Sequence, residues 1–92
     1  MMTKEEFLKQ YGTDNEFMCK LLGRMDSDCK YYIGCCACSK ASRKYLWAVG
    51  DPNAHIQYMK WLYETLLERG WKPDWITMKD IREYEKRMRC DN

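Results

Sequence analysis

The chain has no hydrophobic run near the ~20 residues that a membrane span needs. Its longest, Tyr45–Val49, has five. That excludes a transmembrane helix. The N-terminal Met1-Met2-Thr3-Lys4-Glu5-Glu6 is followed by no apolar signal region, so the protein is read as cytoplasmic with reduced thiols. Histidine occurs once, at His55, which leaves no paired-His metal motif, and there is no phosphate-cradling glycine loop. Neither charge sign dominates. Sixteen basic residues stand against 14 acidic ones, and a net charge of +2 is small for a dedicated nucleic-acid binder.

What the chain does have is apolar and aromatic. Hydrophobic residues make up 46%, including four Trp, seven Tyr and seven Met, which is too much for disorder and enough for one packed layer of helices. Ninety-two residues make a single domain, 1–92.

The helices announce themselves through their caps. Thr3 and Glu6 form a capping box for a short helix ending at Gly12, with Phe7, Leu8 and Tyr11 as its buried side. Thr13 and Glu16 repeat the signal for a helix from Asp14 to about Ile33. Its apolar face is Phe17, Met18, Leu21, Leu22, Met25, Cys29, Tyr32 and Ile33, and Gly34 suits a left-handed turn after it. Asp51 caps a helix that starts at Pro52 and ends before Gly70. Ile56, Met59, Tyr63, Leu66 and Leu67 form one stripe on it, and Tyr58, Trp61 and Leu62 a second. Only Gln57, Lys60, Glu64 and Glu68 line up as a polar strip, so this helix must be buried on most of its circumference. Thr77 and Asp80 start a last helix reaching about Arg89, with a thin seam of Ile81, Tyr84 and Met88 and the i,i+4 pairs Glu83–Arg87 and Glu85–Arg89. The expected fold is all-α: a small bundle of three to four helices around a buried central helix at about 52–69, with a long irregular segment at 34–50.

That irregular segment and its flanks hold the candidate sites. Cys29, Cys35, Cys36 and Cys38 fall within ten residues, and thiolates converging tetrahedrally favour zinc, with His55 available to complete the set. Cys35-x-x-Cys38 is the only pair with knuckle spacing, so the favoured reading is no metal, with the thiols as small core or loop side chains. Lys40, Arg43 and Lys44, interleaved with Tyr45 and Trp47, fit a phosphate-contacting loop with stacking rings. For catalysis, His55 with a loop cysteine is the only neutral-pH pairing, and a lone histidine at a helix start is more often structural; no enzyme is expected. Thirteen Phe, Trp and Tyr residues exceed what one helical layer hides. Trp71 and Trp75, in the turn before the last helix, are expected to fold back towards the core, yet with Trp47 they are also the candidates for an exposed interaction patch.

Three segments carry a resemblance: Asp28-Cys29-Lys30-Tyr31-Tyr32-Ile33-Gly34, then Tyr45-Leu46-Trp47-Ala48-Val49-Gly50, then Ile56–Tyr63 followed by Lys72–Glu85. In order and spacing they resemble the large polyvalent-protein-associated domains, the eleventh of that series, over roughly residues 21–88. The resemblance implies a setting in phage and conjugative-element proteins, beside DNA-processing modules, and it assigns no catalytic residues. Where the family leads one to expect a Gly- and Asn-rich segment, this chain has Cys35-Cys36-Ala37-Cys38. The leading expectation is a non-enzymatic, cofactor-free protein-interaction module of a mobile genetic element, one form of which is an inhibitor of a host defence complex such as CRISPR. The alternatives are a nucleic-acid-binding accessory protein in mobile-element DNA processing and a small zinc-binding module using the cysteine cluster.

Overall fold

Each helix begins where a side chain can accept the backbone N–H groups that its first turn leaves free. The computed structural model describes residues 1–36, 46–47 and 51–88, without the side chains of residues 35 and 36. Helix α1 spans Lys4–Tyr11, α2 Asn15–Cys36, α3 Pro52–Glu68 and α4 Met78–Arg87. No strand occurs among the described residues. The capping boxes of α1 (Thr3 with Glu6) and α4 (Thr77 with Asp80) are both closed, and Asp51 accepts from the Ala54 N–H at 3.1 Å to start α3. For α2 the acceptor is Asp14, whose Oδ1 takes the Glu16 N–H at 2.9 Å. The expected Thr13 cap is displaced by one residue, because a carboxylate one position nearer reaches the same turn.

Helix α3 packs against α1, α2 and α4, and α2 also touches α4. Nine of the seventeen α3 residues are buried, including Ile56, Met59, Tyr63 and Leu66 of the first stripe and Tyr58 and Leu62 of the second, while Trp61 is half-buried, so this helix is the centre of the core. Around it lie Phe7 of α1, Met18, Leu22, Met25, Cys29 and Tyr32 of α2, and Ile81 of α4, each fully buried. At ~1.5–3 kcal/mol for each fully buried large apolar side chain, this shared core is the main stabilising contribution. Gln57, Lys60 and Glu64 stay on the half-exposed strip.

Three expectations are corrected. Leu67 is 42% exposed, where the last turn of α3 gives way to residues 67–70, all of them exposed. Phe17 is 44% exposed: it lies about 100° around the helix from Met18, off the face that Met18, Leu22, Met25 and Cys29 define. Gly34 does not end α2, which continues to Cys36 past the buried Tyr32, so the first three residues of the expected irregular segment are helical. Arg89 of the expected Glu85–Arg89 pair lies outside the described residues; the Glu85 carboxylate receives Lys60 Nζ at 3.0 and 3.1 Å and ties α3 to α4. The Glu83–Arg87 pair forms as expected, at 3.1 Å.

A second tie joins α2 to α4. The Tyr84 hydroxyl donates to Asp26 Oδ1 at 2.6 Å, and Lys30 Nζ lies 3.1 Å from Asp26 Oδ2. Burial, reinforced by the Asp26 bond, pushes the Tyr84 phenol well above its ordinary range, so it stays a donor. Hydrogen bonds to a charged group contribute ~1.5–3 kcal/mol. Tyr84→Phe is therefore expected to lower unfolding stability by about 1–2 kcal/mol, since Lys30 still serves the carboxylate. The check is a urea midpoint that falls at unchanged m-value.

Candidate interaction surface and buried polar cluster

The end of α3 fixes how its neighbouring tryptophans leave the core. Gly70 has φ +76°, the left-handed conformation that closes a helix. The Trp71 N–H reaches Leu66 O at 2.8 Å and the Gly70 N–H reaches Leu67 O at 3.1 Å, which together make a Schellman closure. Arg69 Nη1 then donates to Asn15 Oδ1 at 2.8 Å and lies 3.3 Å from Met18 Sδ, fastening this corner to the start of α2.

From there the connection crosses α2. Pro73 and Ile76 are buried and anchor it, while Trp71 and Trp75 are each 49% exposed. The two rings thus do not fold into the core as expected. Pro73 and Ile76 take the inward positions. Trp71 shares a shallow depression of about 550 Å³ with Thr13, Asp14, Asn15, Glu16 and Arg69. Trp75 lies over Gly23, where an added Cβ would stand 3.9–4.0 Å from its ring. Glu16 and Gly23 are about two turns apart, so the tryptophans are spaced by roughly 10 Å along α2. Nothing in the helical periodicity marks the closure at residues 66–71; Gly70 alone was the signal.

Trp47 lies elsewhere, half-buried beside the buried Leu46. It meets Phe7, Tyr11 and Tyr58 edge-on, at centroid distances of 6.2, 4.9 and 5.8 Å. It therefore does not join Trp71, just past the other end of α3, or Trp75, over Gly23 of α2. Lys40, Arg43, Lys44 and Tyr45 lie outside the described residues, as does Cys38, and so do the side chains of Cys35 and Cys36.

The remaining members of the proposed metal set, Cys29 and His55, are fully buried and each has another contact. His55 Nε2 is 3.0 Å from Met25 O, and the Cys29 thiol donates towards Met59 Sδ at 3.6 Å. Burial, then the neighbouring Asp26 and Asp28, push the Cys29 thiol far above its usual range, away from the thiolate that binds zinc. Among the described residues no three His, Cys, Asp or Glu side chains converge as metal ligands. His55 Nδ1 and Asp28 Oδ2 are buried without a hydrogen bond, although Arg24 Nε lies 3.6 Å from Asp28 Oδ2. The Asp26–Tyr84 tie was missed in the sequence. Its signal was an acid at position 26, between Leu22 and Cys29 on the apolar face.

Burial holds the His55 imidazole below its ordinary pKa, against the Met25 hydrogen bond and Asp28, which favour protonation; Arg24 opposes it. A depressed folded-state pKa contributes stability that is complete above the unfolded value of about 6.5 and is lost as pH falls below it. Urea midpoints are expected to fall between pH 7.5 and 5.0, and His55→Gln, which keeps a donor for Met25 O, should flatten that step. Gly23→Ala is expected to raise stability by about 0.5–1 kcal/mol, because the helix gains alanine's propensity and the Trp75 ring is at ordinary contact distance. Thermal unfolding reads it as a higher Tm.

No curated protein and no solved structure matches the chain. The family model described as large polyvalent protein-associated domain 11 matches residues 15–88, which takes in α2, α3, α4 and everything between them. The chain belongs to the large polyvalent protein-associated domain 11 family.

Proposed function

We propose that this domain is a non-enzymatic interaction module of a mobile genetic element, acting in the cytoplasm without a cofactor and binding a protein partner through Trp71 and Trp75. The observation that carries this reading is the pair of tryptophans, each 49% exposed, on a connection pinned by Pro73, Ile76 and the closure at Gly70. Rigidly held aromatic rings give large contact area with little entropy left to lose, which is why Trp concentrates at binding hot spots. Membership of a family associated with large polyvalent proteins supports the setting. One concrete form is a stoichiometric inhibitor of a host defence complex such as CRISPR.

The charge pattern favours protein over nucleic acid as the partner. The basic residues on the outer face of α2 lie beside acids: Lys20 by Glu16, Arg24 by Asp28 and Lys30 by Asp26. Local pairing of that kind weakens the field that phosphate binding relies on.

Capture of partners from cells carrying the element, followed by affinity measurement with Trp71→Ala/Trp75→Ala, tests the proposal. The double variant should bind at least about tenfold more weakly, as expected for hot-spot residues, at unchanged Tm. A partner held equally well by the variant would overturn the assignment to these rings. Salt-sensitive binding to plain duplex or single-stranded DNA would favour the nucleic-acid reading instead.

A further inference from the structure

The outer face of α4 carries charge that the fold does not use. Lys79, Arg82 and Lys86 follow one another at i, i+3 and i+7, which places them on one face, about 100–160° around the helix from the buried Ile81. All three are exposed, and none makes an ion pair or hydrogen bond with a described residue. Like charges at these spacings repel, so the stripe costs the helix stability unless something anionic lies against it.

The acids of α4 do not supply that anion. Glu83 and Glu85 stand at i+4 from Lys79 and i+3 from Arg82. The first receives Arg87 Nε at 3.1 Å, and the second receives Lys60 Nζ at 3.0 and 3.1 Å. Asp80 closes the capping box, its Oδ2 taking the Thr77 N–H at 2.8 Å and the Thr77 hydroxyl at 3.1 Å. Each acid is thus held by a group other than the stripe. On the outer face of α2, by contrast, Lys20, Arg24 and Lys30 each lie beside an acid. The stripe spans about 10 Å. Met78–Arg87 holds four basic and three acidic residues, so the excess charge is confined to this stripe. A long phosphate backbone binds by neutralising many phosphates at once, whereas a short acidic peptide needs only a few contacts. Lys79 is four residues past Trp75, at most about 14 Å of chain, so a partner seated on Trp75 has the stripe within reach.

We infer that Lys79, Arg82 and Lys86 dock a short acidic segment of the protein partner. The inference rests on the interaction-module reading and deepens it by naming the partner's chemistry: carboxylates spaced to meet a stripe of three cations, on the element that follows Trp75 in the chain. Its test uses the α4 face alone, so it stands or falls separately from binding at Trp71 and Trp75.

The experiment follows the backbone amide shifts of the full chain by NMR during titration with N-acetyl-hexaglutamate amide at low salt. Saturable shifts centred on α4 are expected. Arg82→Gln/Lys86→Gln should weaken the apparent affinity by about fivefold or more, while Lys9→Gln/Lys20→Gln, which removes the same charge from α1 and α2, should change it by less than about twofold. All four positions are exposed, so Tm should stay unchanged in both variants. Trp71→Ala/Trp75→Ala should bind the peptide as the parent does. A partner lost by that variant, with no peptide binding on α4, would overturn this inference and leave the broader reading standing. Oligothymidylate of matched charge is the parallel probe. No saturable shift, shifts centred away from α4, equal losses in the two charge variants, or tighter binding of oligothymidylate than of the peptide would each overturn the inference.

Discussion

Helix α3 is apolar at almost every angle, and a chain of ninety-two residues can keep it out of water only by spending its other helices on it. Phe7 covers one side, Met18, Leu22, Met25 and Cys29 a second, and Ile81 a third. The polar strip that remains is used as well: Lys60 reaches Glu85 and Glu64 lies 3.8 Å from Lys4, so even this face is tied to α4 and α1. Those ties are partly exposed and weak individually. They set the angles at which neighbours lie, while burial supplies the free energy.

Polar atoms inside such a core are tolerated where each finds a partner. Asp26 is served by both Tyr84 and Lys30, which turns an acid on the apolar face into a joint between two helices. His55 is less completely served, with Nε2 at Met25 O and Nδ1 without a partner. An orphaned buried acceptor costs ~1–3 kcal/mol, and the same burial that creates the cost keeps the ring neutral. A histidine in that state acts as a structural link between α2 and α3 and is poorly placed to serve as a base for solvent-borne substrates.

Local signals carried most of the fold. The capping boxes at Thr3 and Thr77, the Asp51-Pro52 start and the Gly70 stop were all legible, because each depends on residues three or four apart. The misreadings at Leu67, Phe17 and Gly34 share a different cause. Whether a helical position is covered, or a glycine ends a helix, depends on where neighbouring elements stop, and periodicity within one helix holds no such information. The same holds for the sites. Trp71 and Trp75 were recognisable as an aromatic turn, but their exposure follows from Pro73 and Ile76 taking the inward places. The grouping of Tyr11, Trp47 and Tyr58 joins three parts of the chain that no spacing rule connects.

The placement of the two aromatic groups follows from the same constraint that holds the fold. A helix buried on most sides leaves only its ends open, and the groups lie there: Trp47, Asp51 and Tyr58 at the first turns of α3, Trp71 just beyond its last. Seventeen residues of α-helix separate them by roughly 25 Å. Their characters differ for reasons built into helix ends. The N-terminus needs an acceptor, so a carboxylate stands among the rings there. The C-terminus needs a left-handed glycine and exposes carbonyls, so Arg69 sits beside Trp71 instead. A single scaffold helix thereby holds an aromatic cluster at its start and the Trp71 surface at its end, at a distance fixed by the core itself.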